Sequence, residues 1–309
     1  MSVRELSYMP GCTLKTKAKN FETTTLKLLE LLDVRAEELP DWYCCGTTYS
    51  LASDNVMNHL GPIRTLVKAK ESGRGELLVL CSMCYNTLRR AQELVRADEE
   101  KRNKINEFMY DEETDFQGDE VRVVHLLTLL KESIGFDSLK EKLVKDPGDL
   151  KVAAYYGCML LRPREIAVDP VAEHPSILED LFAACGVESV YFPFRTECCG
   201  SYQTVNEKQV VLSRTKAITE SAVKNGADLI VTSCPLCHYN LDAYQPKVAE
   251  ATPGFRTIPV MYISQILALL AGLEGIQDFN LHVVDPRPML RARGLIGADT
   301  APATVGAES

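Results

Sequence analysis

Three things are scarce in this 309-residue chain: positive charge, long apolar runs and nucleotide-binding loops. Lys and Arg number 34 against 43 Asp and Glu, a formal net charge of −9. Nucleic-acid binding draws on clustered cations that neutralise phosphates, so this balance speaks against it. The N-terminal "MSVRELSYMPGC" has no signal-peptide apolar core. The most apolar late run, "YISQILALLAGL" at 262–273, is short and carries Ser264 and Gln265, whereas a membrane span needs about 20 residues. The expectation is a soluble, cytoplasmic chain with no membrane span. No GxGxxG follows a strand and no P-loop occurs, so neither nicotinamide nor flavin is expected here. Redox electrons would have to arrive from outside.

The negative charge is uneven. Residues 98–120 hold ten Asp/Glu and three Lys/Arg, which is −7 of the −9. A solvated helix end and loop is the ordinary reading of such a run; a contact for a basic partner is the other. The tail "DTAPATVGAES" (299–309) has no apolar periodicity and reads as disordered.

Cysteine is abundant, with 11 residues. In a reducing compartment, clustered cysteines favour metal or redox work over disulfides. Their order is the main signal. Cys12, Cys44–Cys45 and Cys81/Cys84 read C, CC, CxxC; Cys158, Cys198–Cys199 and Cys234/Cys237 read the same again. The flanks repeat too: "YMPGC" with "YYGC", "WYCCGT" with "ECCGS", "CSMCYNTL" with "CPLCHYNL". The chain is two copies of one unit. Cys185, in the apolar "LEDLFAACGV", lies outside the pattern and reads as a core cysteine.

Buried-strand runs at 5–9, 76–80, 150–156 and 227–233 each lead into a cysteine motif. Helical spacing is present over 20–34, 55–73 and 84–95, with Pro62 near a start or kink. Each CxxC therefore falls at a strand's C-terminal end and a helix's N-terminal end. A helix N-terminus stabilises the thiolate that binds metal. Alternating strands and helices predict an α/β fold with mostly parallel sheets. Turn residues in "KDPGDL" (145–150) mark the boundary, giving units 1–147 and 148–298.

Three chemistries compete for five cysteines per unit. Structural zinc takes four ligands, leaves one cysteine over and does not explain the adjacent pair. A dithiol enzyme needs neither the pair nor the single upstream cysteine. A cubane iron–sulfur cluster takes four thiolates. Neighbouring Cα atoms are only ~3.8 Å apart, so adjacent thiolates suit an opened cluster. Gly46 and Gly200 follow the pairs; a tight turn and open space for a substrate are both readings of them.

With "YYGCMLLRP", "ECCGS", "CPLCHYNLD" and "IPVMYISQILALLAGL", the doubled pattern resembles heterodisulfide reductase B subunits, of the CCG (cysteine-rich domain) superfamily, over roughly residues 5–285. The resemblance implies two pseudo-symmetric CCG domains, each a mostly parallel sheet flanked by helices. It implies two non-cubane 4Fe–4S clusters. Cys12, Cys44, Cys45, Cys81 and Cys84 would hold one, and Cys158, Cys198, Cys199, Cys234 and Cys237 the other. It further implies a small-molecule disulfide or thiol substrate between the clusters, a ferredoxin-like C-type partner and, beyond it, a flavin-containing A-type subunit.

His238 stands where the first unit has Tyr85. Proton donation to a product thiolate, a hydrogen bond to the cluster, or packing at a helix start are its readings. Tyr8, Tyr155 and Tyr156 either line the cavity or pack. Arg162 and Arg164 either bind an anionic group or sit on the surface. His59, His125, His174 and His282 have no ligand-like spacing. The two units diverge after CCG, and only the second has a proline inside its CxxC, so zinc, if it replaces one cluster, is expected in the first. Two rivals remain: a subunit of another CCG oxidoreductase complex and a zinc-stabilised assembly module.

Overall fold

The computed structural model describes residues 3–47, 55–112 and 114–297; the tail expected to be disordered lies outside these. The first half is a four-stranded parallel sheet of β1 (Arg4–Met9), β2 (Val34–Glu38), β3 (Glu76–Val79) and β4 (Arg122–His125) in the order β2-β1-β3-β4. Helices α1 (Lys19–Leu31), α2 (Leu60–Glu71) and α3 (Ser82–Ala97) connect and flank these strands. Near-continuous apolar strands such as Leu77–Val79 are what a sheet covered on both faces requires. In α1 the spacing of Phe21, Leu28 and Leu29 puts one face wholly in the core. Pro62 is the third residue of α2, where the missing N–H would have had no partner anyway.

The second half repeats this plan. Strands β5 (Lys151–Ala154), β6 (Glu188–Ser189), β7 (Leu229–Thr232) and β8 (Val260–Tyr262) pair in parallel in the order β6-β5-β7-β8. Its helices include α5 (Ile177–Ala184), α6 (Lys208–Lys224), α7 (Pro235–Ala243) and α8 (Ile263–Leu270), after α4 (Glu99–Phe108) in the first half. The strand expected over 150–156 stops at Ala154. Tyr156 N–H leaves the ladder for the Arg195 carbonyl, and Gly157 turns the chain at φ +66°.

The apolar run at 262–273 forms α8, every residue of which is buried. It packs on α1 of the other half, with Ser264 Oγ 2.7 Å from Thr24 Oγ1. The Phe21 ring stacks on Tyr262, centroids 4.4 Å apart. One hydrophobic core thus runs through both halves. Among the described residues, no helix is long and apolar enough to cross a membrane. Cys185 ends α5 inside this core, and burial pushes its thiol up to about 11, as suits a packing cysteine. The acidic window is partly neutralised internally: Glu112 pairs with Arg64 and Lys68, and Glu120 with Lys70.

Candidate metal centres

In both sheets the strand order reverses between the two central strands, which is where ligand crevices open beyond the strand C-termini in α/β sheets. Cys12 follows β1 and Cys81 follows β3; Cys158 follows β5 and Cys234 follows β7. Cys81 and Cys234 are the N-cap residues of α3 and α7, with Cys84 and Cys237 in the first turns. The adjacent pairs come in from the loops. Gly46 at φ +69° and Gly200 at φ +80° then turn the chain away.

The sulfurs converge in two sets. In the first, Cys44 contacts Cys45, Cys45 contacts Cys84 and Cys84 contacts Cys81, with Cys12 beside Cys44. In the second, Cys158 contacts Cys198, Cys198 contacts Cys199 and Cys237 contacts Cys234, while the Cys199 and Cys237 sulfurs are 3.4 Å apart. Cys12 and Cys44 are exposed and Cys158 and Cys198 half-buried; the other six are buried. All ten cysteines of the repeat pattern are brought together.

Protons are unequally shared within each set. The Cys44 and Cys84 thiols donate to Cys45 and hold it down to about 2. The Cys158 and Cys199 thiols do the same to Cys198, also to about 2. Donation by Cys237 and Cys81 holds Cys234 well below the ordinary thiol range. Their neighbours Cys81, Cys84 and Cys237 are pushed well above it. Like charges this close cannot all ionise unaided. A full set of thiolates needs a multiply charged cationic centre between them, and the donor set therefore fits an iron–sulfur group.

Two glycines make room for these sulfurs. A Cβ on Gly11 would stand 2.9 Å from Cys84 Sγ, and one on Gly157 would stand 3.1 Å from Cys237 Sγ. Gly46 and Gly200 do not have this role, since a Cβ there would meet neighbours only at 3.8 and 3.6 Å. They turn the chain, and the close approach to sulfur falls to the glycine preceding each single cysteine.

The second set has ordered supports. Gly200 N–H donates to Cys198 Sγ at 3.3 Å, and Arg214 Nε donates to the Cys198 carbonyl at 3.0 Å. Asn240 Nδ2 donates to the Cys199 carbonyl at 3.3 Å. In the first set, Thr47 Oγ1 lies 3.0 Å from Cys45 Sγ. The two sets meet at the seam between halves, where Cys81 donates to Cys234.

His238 is buried, one residue after Cys237. Its ring stacks on Tyr262 (centroids 4.2 Å, 13°) and meets His282 edge-on at 4.9 Å. Burial holds its pKa well below the ordinary imidazole range, so it is neutral. Its Nε2 has no hydrogen-bond partner among the described residues. Together with Asp242 and Tyr262 it lines a cavity of about 520 Å³ at the junction of the halves. Asp242, His238 and His282 place one ligand-type atom each within 4.8 Å of one another. The trio nevertheless does not suit a metal. His282 Nε2 accepts from Gln265 Nε2 at 3.0 Å and faces Asn20 Nδ2 at 3.2 Å. The Gln265 amide is fixed, because its oxygen accepts from Tyr262 N–H and its nitrogen donates to the Gln277 carbonyl. The His282 proton is therefore on Nδ1, the nitrogen a metal would need, whereas a metal-bound imidazole donates from its other nitrogen.

The remaining candidates are less central. Tyr8 donates to Glu22, Tyr155 to the Glu197 carbonyl and Tyr156 to Glu179, all of them structural bonds. Arg162 and Arg164 are exposed. His125 is fully satisfied: it accepts from Leu127 N–H and donates to the Leu80 carbonyl. Sequence reasoning missed Tyr202, whose hydroxyl touches Met159 of its own half and Met83 across the seam. Its position two residues after CCG was the available signal.

Both halves match the family described as CCG, cysteine-rich domain, over residues 6–89 and 152–242. The chain belongs to the CCG cysteine-rich domain family. It is 30% identical to the B subunit of the ferredoxin/F420H2-dependent CoB–CoM heterodisulfide reductase of Methanosarcina acetivorans, covering 87% of this chain and 90% of that one. It is 29% identical to the 8-methylmenaquinol:fumarate reductase membrane anchor subunit of Wolinella succinogenes, over 91% of this CCG chain and 98% of the relative. A hypothetical protein from Helicobacter pylori shares the fold at a TM-score of 0.70 and 15% identity, over 91% of this chain; the chain spans 52% of that one. The α/β fold of two CCG units and the kinship with heterodisulfide reductase B subunits agree with the reading of the sequence.

Proposed function

We propose that this chain is the catalytic iron–sulfur subunit of a heterodisulfide reductase-like complex and cleaves a disulfide reductively at the seam between its halves. The single observation carrying this reading is the contact between the two CxxC motifs, with Cys81 beside Cys234 and Ser82 Oγ 3.4 Å from Ser233 Oγ. Cys12, Cys44, Cys45, Cys81 and Cys84 would hold one non-cubane 4Fe–4S cluster, and Cys158, Cys198, Cys199, Cys234 and Cys237 the second. Bound there, such clusters would supply one-electron steps and iron sites able to take sulfur. The chain brings the thiolates in from strand ends and loops, leaves room for them at Gly11 and Gly157, and closes the seam with buried side chains. His238 is neutral and beside Cys237, placed to hydrogen-bond rather than to carry charge. Electrons would come from a ferredoxin-like C-type subunit and ultimately a flavin-containing A-type subunit, in the cytoplasm.

A second reading follows from the Wolinella relative, matched over 98% of its length: the same centres could serve a quinol-linked fumarate reductase complex. Anaerobic purification with iron, sulfide and zinc analysis tests the centres. About eight irons per chain with matching sulfide supports them; about two zincs without sulfide sinks them. Reduced viologen with a panel of disulfides, set against a menaquinol analogue with fumarate in the assembled complex, separates the two readings.

A further inference from the structure

Tyr202 lies on the short helical turn Ser201–Gln203, straight after Cys198, Cys199 and Gly200. Gln203 N–H donates back to the Gly200 carbonyl at 2.9 Å. Thr204 Oγ1 donates to Asn240 Oδ1 at 3.1 Å, and Asn240 is the residue that also holds the Cys199 carbonyl. The turn is thus pinned to the support of the second cysteine set. From it, the Tyr202 hydroxyl reaches 3.4 Å from Met159 Sδ and 3.8 Å from Met83 Sδ. Met159 follows Cys158, and Met83 lies between Cys81 and Cys84. The oxygen therefore stands at the seam, beside the second cysteine set and against a methionine of each half.

Thioether sulfur is a weak acceptor. Among the described residues no oxygen or nitrogen accepts from this hydroxyl, so it is a half-buried donor without a strong partner. Burial, and then the charge of nearby Cys158 and Cys198, hold it well above the ordinary tyrosine range, which keeps its proton in place. The two methionines form a soft, polarizable wall beside it. The first half carries Thr48 at the matching place after its CCG.

We propose that Tyr202 is a catalytic residue of the disulfide reaction: its phenol donates a hydrogen bond to the substrate sulfur that departs as thiolate beside the second cysteine set. The inference rests on the disulfide-reductase reading above. The overall step takes one disulfide, two electrons from an external one-electron reductant and two solvent protons, and yields two thiols. Tyr202 keeps its own proton throughout and stabilises the sulfur's developing negative charge.

The test is Tyr202→Phe in the full chain, which retains the ring between the methionines. Reduced methyl viologen is the electron donor, hydroxyethyl disulfide the substrate and mercaptoethanol the thiol probe. Expected are unchanged iron and sulfide content, an unchanged melting temperature, kcat lowered roughly 100-fold as for loss of one charge-stabilising donor, and weaker mercaptoethanol binding by calorimetry. Equal kcat, or equal thiol binding by the two proteins, overturns the role of Tyr202. Should the iron-loaded wild type reduce no disulfide, the reading of function fails instead, and the thiol titration still decides whether Tyr202 binds sulfur.

Discussion

The hydroxyl oxygens of Ser82 and Ser233 lie 3.4 Å apart, one inside the first CxxC and the other immediately before the second. Both residues are fully buried. The two motifs that begin α3 and α7 are therefore in direct contact, and across the same seam the Cys81 thiol is held up and the Cys234 thiol down by their closeness. Each half places its CxxC at the end of its own sheet; their adjacency comes from how the halves pack.

Substitution of the crowded glycines separates space from turn geometry. Gly157→Ala puts a methyl 3.1 Å from Cys237 Sγ at a φ of +66°. It should cost about 1–2 kcal/mol for the left-handed backbone and also lower the iron bound per chain. Gly200→Ala carries the same backbone cost but only ordinary contacts at 3.6 Å. Thermal melts should drop for both, while iron analysis should drop for Gly157→Ala alone.

Cysteine replacements should divide into two classes. Cys198→Ala and Cys45→Ala remove the thiolate at the centre of each set and should abolish about half of the bound iron each, if each set holds one cluster. Cys185→Ala should leave iron content and spectrum unchanged and lower stability by about 1 kcal/mol through loss of a small buried group. Iron loss in Cys185→Ala would refute its assignment to the core.

Acid sensitivity should come in part from His125. Burial depresses its pKa to about 4, below the ~6.5 of an unfolded histidine. The unfolded state then binds the proton first, so this contribution is complete above about pH 6.5 and is lost as pH falls toward 4. The size is up to about 3 kcal/mol. His125→Gln should flatten the urea-midpoint profile over that interval relative to wild type; a parallel profile would contradict the buried neutral ring.

Phe21→Ala tests the join between the halves. The ring is fully buried and stacks on Tyr262, which in turn stacks on His238. Its removal should cost about 3–5 kcal/mol. Because one core runs through both halves, urea unfolding followed by far-ultraviolet circular dichroism and by Trp42 fluorescence should shift together. Two separated transitions would show that the halves fold independently.

Most of the fold was legible in the sequence. The apolar runs leading into Cys12, Cys81, Cys158 and Cys234 are the central strands, and 20–34, 55–73 and 84–95 are largely helical. The strand at β5 was read two residues too far at its C-terminal end: Tyr155 N–H still reaches the Val231 carbonyl of β7, but Tyr156 N–H turns to the Arg195 carbonyl. The run at 262–273 reads the same whether it covers one half or joins two; only its contact with Thr24 and Phe21 settles which.

By itself the sequence determined the repeat, the α/β plan and the grouping of ten cysteines into two sets of five, because local patterns of apolar spacing and ligand order repeat along the chain. It could not say which residues outside those patterns meet. His282 lies 44 residues beyond His238 yet touches its ring, its tautomer set by Gln265. Tyr202 reaches Met83 over 119 positions. Such contacts depend on how α1 packs on α8 and on how the two sheets share one core. They are set by the shape of the whole, where no short-range period records them.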